Sequence, residues 1–298
     1  MKPRRLTACC ALTWIVLAAS LTRADAGAEL QALLAEHWER SSQEQVFFRR
    51  DPDSFRMAGK LPAFSPEARQ RRHDYNEDIL ARLAAIDEDA LSAADRVSFK
   101  VFRYERLAER EQYQQPDHLF PFTNRTNWQS YFFAAPENMS FLNRADYADY
   151  LVSLSDYPRY SAEYMALLEQ ALARGYTHYC DSMAGFDTAI AAELVEDPRT
   201  SALYAPFQDM PASIDAAERA RLEAAGVKAI REQVLPAVRE FHAFYTSQYA
   251  PRCRKQAGVA SLEGGGDYYA YLVRFFTTTD MTPQQVHALG LSEVARIR

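Results

Sequence analysis

The sequence has no extended cluster of lysine and arginine, the feature by which nucleic-acid-binding proteins attract phosphate. Its 34 Lys and Arg are outnumbered by 40 Asp and Glu, which gives a formal net charge of −6. Beyond the N-terminus, no stretch contains the roughly 20 apolar residues that a membrane-spanning helix requires. We therefore predict that the chain binds no nucleic acid and has no stable membrane span once its N-terminal segment is removed.

Short motifs that carry catalysis are also missing. The sequence contains no HExxH zinc motif, no GxSxG nucleophile turn, no Walker loop and no GxGxxG dinucleotide fingerprint. The histidines are scattered along the chain, so a metal site would have to be assembled by the fold; they are His37, His73, His118, His178, His242 and His287. The residues present therefore supply no complete catalytic site.

Alternating polar and apolar runs of strand length are scarce, and the candidates are limited to Phe120–Phe133 and Gly258–Leu262. The stretch Pro116–Asn143 is the longest without helical periodicity. It could line a cleft, but its clustered aromatic residues favour packing against a core. Since 48% of the residues are hydrophobic, the chain can bury a substantial core.

Signals for helices recur along the rest of the chain. Cap residues predict helices over residues 65–86 and 92–110, and Pro158 predicts the start of a helix that ends at Gly175. After Gly226, apolar residues at spacings of three and four define one helix face, and Pro236 should kink that helix. These apolar residues are Val227, Ile230, Val234, Val238, Phe241 and Tyr245. We predict an all-α protein, an irregular assembly of several helices.

The most specific local signal lies at the N-terminus. Basic residues precede an uncharged apolar run, Leu6–Leu21, and Ala-Asp-Ala at residues 24–26 matches a cleavage site. We predict a signal peptide over residues 1–26, a helical domain over residues 27–298 and a periplasmic or secreted location. An uncleaved membrane anchor is the alternative, disfavoured because the apolar run is short.

Removal of the signal peptide would leave Cys180 and Cys253 in an oxidising compartment, where they can form a disulfide or stay unpaired. Together with His178 and Asp181, these cysteines also have the residue types of a metal site. We favour a disulfide or a chance arrangement over a metal site. His73 and Glu77 share a helix face, but such pairs are ordinary features of helix surfaces.

The chain has a single glycine cluster, Gly264-Gly265-Gly266, followed by Asp267 and two tyrosines. This pattern predicts a flexible turn that leads into a helix capped by Asp267 or a neighbour. The last helix has an equally clear start, because Thr282 and Gln285 fit a capping box. Its apolar stripe is still running at Ile297, with no Gly, Asn or Pro to end it.

The segment from Gly264 to Ile297 closely resembles the domain of unknown function 885 family. In that family a glycine turn precedes paired tyrosines, a helix, a Thr-rich turn and a T-P-x-x-[VI]-H-x-[LIV]-G-L-x-E-V-x-R-I helix. The matching residues are Thr277, Thr278, Thr282, Pro283, His287, Gly290, Leu291, Glu293, Val294, Arg296 and Ile297. A looser similarity extends over the rest of the mature chain.

Members of this family look like exported, mostly helical zinc hydrolases related to the gluzincin peptidases, about twice as long as this chain. The resemblance implies that the His-Glu…His zinc motif and a further glutamate ligand lie in a half that follows Arg298. It thus implies a truncated N-terminal half without catalytic residues, with zinc expected in the missing C-terminal half. The alternative is a true C-terminus, with Arg296 and Arg298 favourably placed against the helix dipole.

For this half, we expect a peptide-like substrate to contact Gly266, Asp267, Tyr268 and Tyr269. Glycine lets a ligand approach the backbone, and tyrosine hydroxyls can donate to a carbonyl or carboxylate. An equally favoured alternative is that Tyr268 and Tyr269 pack between helices and have a purely structural role. The sequence thus predicts the N-terminal half of an exported zinc-dependent peptidase-like hydrolase, inactive alone. The alternative is a complete, non-catalytic exported helical module that binds a peptide or protein.

Overall fold

A computed structural model describes residues 26–42, 59–125 and 127–298. Within these ranges the regular elements are helices, apart from one isolated parallel bridge between Tyr179 and Arg254. The all-α prediction is confirmed, and the two strand candidates are wrong because both stretches contain helical turns instead. The predicted signal peptide lies outside the described residues except for Ala26. In the described part, no helix is long and apolar enough to cross a membrane.

Contacts along the chain divide it into two compact units. The first contains α1 at residues 26–42, α2 at Pro66–Ala85 and α3 at Ala93–Tyr113, so the helices predicted over residues 65–86 and 92–110 are confirmed. Apolar side chains from all three helices form its core, among them Leu30, Leu33, Ile79, Leu83, Phe99 and Phe102.

The second unit contains residues 59–65 and the chain from residue 115 onward. Its helices are α4 at Trp128–Ala134, α5 at Arg144–Arg174, α6 at Phe186–Ala191, α7 at Ala205–Gln208, α8 at Ala216–Ala229, α9 at Leu235–Phe244, α10 at Gly265–Thr277 and α11 at Pro283–Ile297. Single turns of 3-10 helix connect several of them. Of the clustered aromatic residues in the stretch 116–143, Trp128, Phe132 and Phe133 are buried in the core as favoured, whereas Tyr131 is 45% exposed.

The longest helix, α5, begins at a capping box formed by Asn143 rather than at Pro158. The predicted start was wrong because the proline lies inside the helix, where it removes one backbone hydrogen bond. Buried tyrosines on both sides of Pro158, such as Tyr150 and Tyr160, hold the helix in the core and outweigh that loss. The predicted end is confirmed, since Gly175 caps α5 in the left-handed conformation with φ of 73°.

The apolar face predicted after Gly226 is confirmed, because its six residues are all buried. The run is nevertheless not one regular α-helix. Five-residue π turns occupy Ile230–Val234 and Tyr245–Tyr249, before and after α9. Pro236 follows the first π turn and is the second residue of α9. The kink expected there stays a prediction.

The last two helices leave apolar side chains exposed. α10 buries Gly265, Tyr268 and Tyr271, whereas none of the residues of α11 is buried. Ile297 is 74% exposed. The predicted capping box of α11 is confirmed, since the Gln285 N–H donates to Thr282 Oγ1 at 3.2 Å and the Thr282 N–H donates to Gln285 Oε1 at 2.8 Å.

Candidate functional site

The glycine turn, which we define as Gly264–Tyr269, consists of the N-cap and the first five residues of α10. Gly264 is its N-cap, with φ of 66° and no side-chain cap, so of the two predicted options the cap is a neighbour of Asp267 and not Asp267 itself. Asp267 lies in the first turn, where its carboxylate is favourable to the helix dipole. Apart from its chain neighbours and the backbone of its own helix, Gly266 has no heavy atom within 4 Å of the place a Cβ would occupy, so its backbone can be approached from outside.

The two tyrosines of the turn have different environments. Tyr268 is buried, its ring lies parallel to that of Phe120 with centroids 6.3 Å apart, and its hydroxyl donates to Asp117 Oδ1 at 3.1 Å. Burial and the Asp117 carboxylate raise the pKa of the Tyr268 phenol. Tyr269 is 47% exposed. The hydroxyl of Tyr268 is therefore engaged inside the fold, and Tyr269 is the tyrosine that a ligand can reach.

His178 also contacts Phe120, with ring centroids 5.5 Å apart and the rings perpendicular. Its Nε2 is 2.8 Å from the Phe122 carbonyl oxygen, and its Nδ1 is 2.6 Å from the Tyr249 hydroxyl. Because a carbonyl only accepts, Nε2 carries the proton and Nδ1 accepts from Tyr249. Burial lowers the pKa of His178 to about 4, so this histidine is neutral near pH 7.

A disulfide joins Cys180 and Cys253, with their Cα atoms 5.1 Å apart. This pairing removes both sulfurs from the metal ligand set that the sequence allowed. Two backbone hydrogen bonds join the chain segments next to the disulfide. The Cys180 N–H donates to the Arg254 carbonyl at 3.0 Å, and the Arg254 N–H donates to the His178 carbonyl at 3.0 Å. The Tyr176 hydroxyl donates to the carbonyl of Glu263, next to the glycine turn, at 2.7 Å.

The pair His73 and Glu77 is occupied by other partners. The His73 ring stacks on Tyr113 with centroids 3.8 Å apart, and Glu77 accepts two hydrogen bonds of 2.6 Å from Arg110. More generally, the residues that the structure describes contain no group of three or more His, Cys, Asp or Glu that could hold a metal ion.

The glycine turn has the chemistry of a binding surface. The first N–H groups of a helix without a side-chain cap can donate to a carbonyl or carboxylate, and the helix dipole favours a negative group there. The Asp267 carboxylate can accept from an N–H or an ammonium group. These groups allow the surface to bind and orient a ligand.

Sequence reasoning missed three residues of this region. Asp117 and Phe120 contact Tyr268 of the turn, and Tyr249 contacts His178. Asp117 is 151 residues from Tyr268 along the chain, and no local pattern links the two. Among the four predicted substrate residues, the structure exposes Gly266, Asp267 and Tyr269 at the surface and buries Tyr268.

Comparison with known proteins gives one family match. The model of the family described as "Bacterial protein of unknown function (DUF885)" matches residues 48–298. No protein of curated function matches the sequence. The fold is similar to a solved structure described as a "putative lipoprotein" from Colwellia psychrerythraea, with a TM-score of 0.71 and 15% identity over 93% of this chain. The chain covers 49% of that structure, so it spans about half its length.

Proposed function

This chain belongs to the DUF885 family of bacterial proteins, and on that premise we propose that it is the N-terminal, substrate-binding half of an exported zinc-dependent peptidase-like hydrolase. The zinc ligands then lie in a second half that follows residue 298, and the half described here is inactive alone. Its predicted signal peptide would direct it to the periplasm or the medium.

The observation that carries the proposal is the uncovered apolar face of α11 in a chain that matches half of a longer structure. Leu291 is 60% exposed, Val294 48% and Ile297 74%. A soluble monomer rarely leaves such a group of apolar side chains in water, and a second half packed on α11 would cover it.

The described part of this half contains no group of three or more His, Cys, Asp or Glu that could hold a metal ion, and we place the zinc ligands in the second half. We propose that the half described here binds substrate. The glycine turn would hold the carbonyl or carboxylate of a peptide-like substrate through backbone N–H groups of Gly266 and Asp267. The exposed Tyr269 would pack against the neighbouring side chain of the substrate.

The first test is to read the coding sequence beyond codon 298. An in-frame His-Glu…His motif within the following few hundred codons is expected on this proposal. A stop codon directly after residue 298, with the native protein ending there, would contradict it and favour the non-catalytic helical binding module.

The second test concerns the substrate surface and uses the full-length protein. Gly266→Leu places a branched side chain over the open backbone, and Gly266→Ala adds only one methyl group at the same position. We expect Gly266→Leu to raise KM for a peptide substrate by about tenfold with little change in kcat, because it removes binding that ground state and transition state share. Gly266→Ala is the matched control. Equal kinetics of the Leu and Ala variants would exclude the turn as the substrate surface.

A further inference from the structure

The segment between the disulfide and the glycine turn, residues 254–264, contains no residue of the buried class. Burial of apolar side chains therefore contributes little to fixing its position. Yet this segment sets the start of α10, because a Cβ on Gly265 would lie 1.9 Å from the carbonyl oxygen of Val259. Whatever holds residues 254–264 in place also places the first turn of α10.

Arg254 stabilises the segment by hydrogen bonds from its guanidinium group to other residues of the same segment. Its Nη1 donates to the Gln256 carbonyl at 3.2 Å and to Ser261 Oγ at 2.8 Å, and it also contacts the Gly258 carbonyl. Its Nε donates to the Thr177 carbonyl at 2.8 Å. One planar guanidinium group thus folds residues 256–261 around itself and ties them to a second stretch of chain.

That second stretch, residues 176–180, makes further bonds to the segment and its flank. Tyr176 donates to the Glu263 carbonyl at 2.7 Å, and Thr177 Oγ1 donates to the Arg252 carbonyl at 3.2 Å. Arg254 and Thr177, which join the two stretches, are 77 residues apart along the chain. The disulfide is the single covalent link between them in the described residues. Each polar bond is individually weak because water competes for the same groups.

We propose that the Cys180–Cys253 disulfide closes a redox latch: while it is formed, residues 254–264 stay docked on residues 176–180 and the glycine turn keeps its position. Reduction opens the latch without unfolding the helical core. The two cysteines are each partly exposed, so a small dithiol can reach them. In the exchange, two electrons and two protons pass from the dithiol to the S–S bond, which becomes two thiols, and the reductant leaves as a disulfide.

The effect of reduction on the position of the glycine turn can be tested without knowing what the turn binds. An effect of reduction on substrate binding rests on the proposed function. The test therefore reads backbone hydrogen exchange by mass spectrometry on the folded chain, before and after reduction with dithiothreitol. Alkylation and intact mass confirm that both thiols have formed. We expect amides of residues 254–268 to exchange at least about tenfold faster after reduction, while those of α5 and α9 are unchanged.

Variants separate the latch from a general loss of stability. Cys180→Ser with Cys253→Ser should reproduce the effect of reduction, and Arg254→Lys should give a smaller increase at the same amides because an ammonium cannot span the same acceptors. Arg252→Lys, at an exposed neighbour, is the control and should change nothing. Unchanged exchange at residues 254–268 after reduction, or an equal increase in α5 and α9, would overturn the proposal.

Peptide binding by the oxidised and the reduced full-length protein distinguishes the two proposals. If the turn binds substrate, opening the latch weakens binding. If exchange rises at residues 254–268 and binding is unaffected, the latch stands and the assignment of the substrate to the turn fails.

Discussion

Gly265 packs against the Val259 carbonyl more closely than any other residue type allows, since a Cβ at this position would lie 1.9 Å from the oxygen. Gly266, the next residue, faces open space. Two adjacent glycines of one cluster thus serve different purposes: one permits close packing of backbone on backbone, and the other leaves the backbone accessible.

These glycines give a first prediction. We expect Gly265→Ala to lower the free energy of unfolding by about 1 to 3 kcal/mol, because backbone must move to admit the methyl group. Gly266→Ala should be neutral or stabilising by about 0.5 to 1 kcal/mol, since alanine in a helix loses less backbone entropy on folding. Urea denaturation of both variants measures the difference. Equal effects of the two substitutions would contradict the close contact.

A second prediction concerns the hydroxyl of Tyr268. Tyr268→Phe removes the hydrogen bond to Asp117 while keeping the ring packed against Phe120, and should lower the free energy of unfolding by about 1 to 3 kcal/mol, since the acceptor is a carboxylate. Tyr269→Phe is the matched control, because that side chain is 47% exposed, and it should have no measurable effect on stability. A destabilisation by the control as large as that by Tyr268→Phe would contradict the assignment of their roles.

The third prediction follows from the neutral His178. Its pKa is about 4 in the folded protein and 6.5 as the ordinary value, so between these pH values the unfolded chain binds more protons. The stability that the neutral form contributes is present above pH 6.5 and is lost as pH falls towards 4. Between pH 7.5 and pH 5 we expect a loss of about 2 kcal/mol from this residue.

The fluorescence of buried Trp128 measures this effect in the second unit, in a background where Trp14 and Trp38 are replaced by Phe. His178→Gln is the matched variant, because its amide can still donate to the Phe122 carbonyl and does not titrate. The variant should lose about 2 kcal/mol less than the parent over this pH range. Parallel pH profiles for parent and variant would show that His178 is not the responsible group.

The accuracy of the sequence-based predictions follows the range of the interactions involved. The starts of α3 and α11 were predictable because Ser92 and Thr282 bond to amides three residues ahead. The start of α5 was not, since Pro158 has a local preference for a helix start and only tertiary packing places it inside a helix. The surroundings of the glycine turn were equally inaccessible, as Asp117 reaches Tyr268 across 151 residues.

The disulfide was only partly predictable from the sequence, because it depends both on residue type and on long-range packing. Two cysteines in a chain that is predicted to be exported favour a bridge or free thiols, but their 73-residue separation contains no information on distance. The fold decides, because the bridge between Tyr179 and Arg254 aligns the two stretches and brings the Cα atoms to 5.1 Å. That distance lies within the range of native disulfides.

The last prediction concerns the apolar face of α11. Val294 and Ile297 are one helical turn apart and both exposed, and an uncovered apolar face promotes self-association of the isolated chain. We expect Val294→Lys with Ile297→Lys to keep the chain monomeric to about tenfold higher concentration in analytical ultracentrifugation, because each substitution removes apolar area from the contact. Ser292→Lys with Ala295→Lys adds the same charge on the opposite side of the helix and should leave association unchanged. If the parent chain is already monodisperse at high concentration, or if both double variants behave alike, the face of α11 needs no cover and the case for a second half packed on it fails.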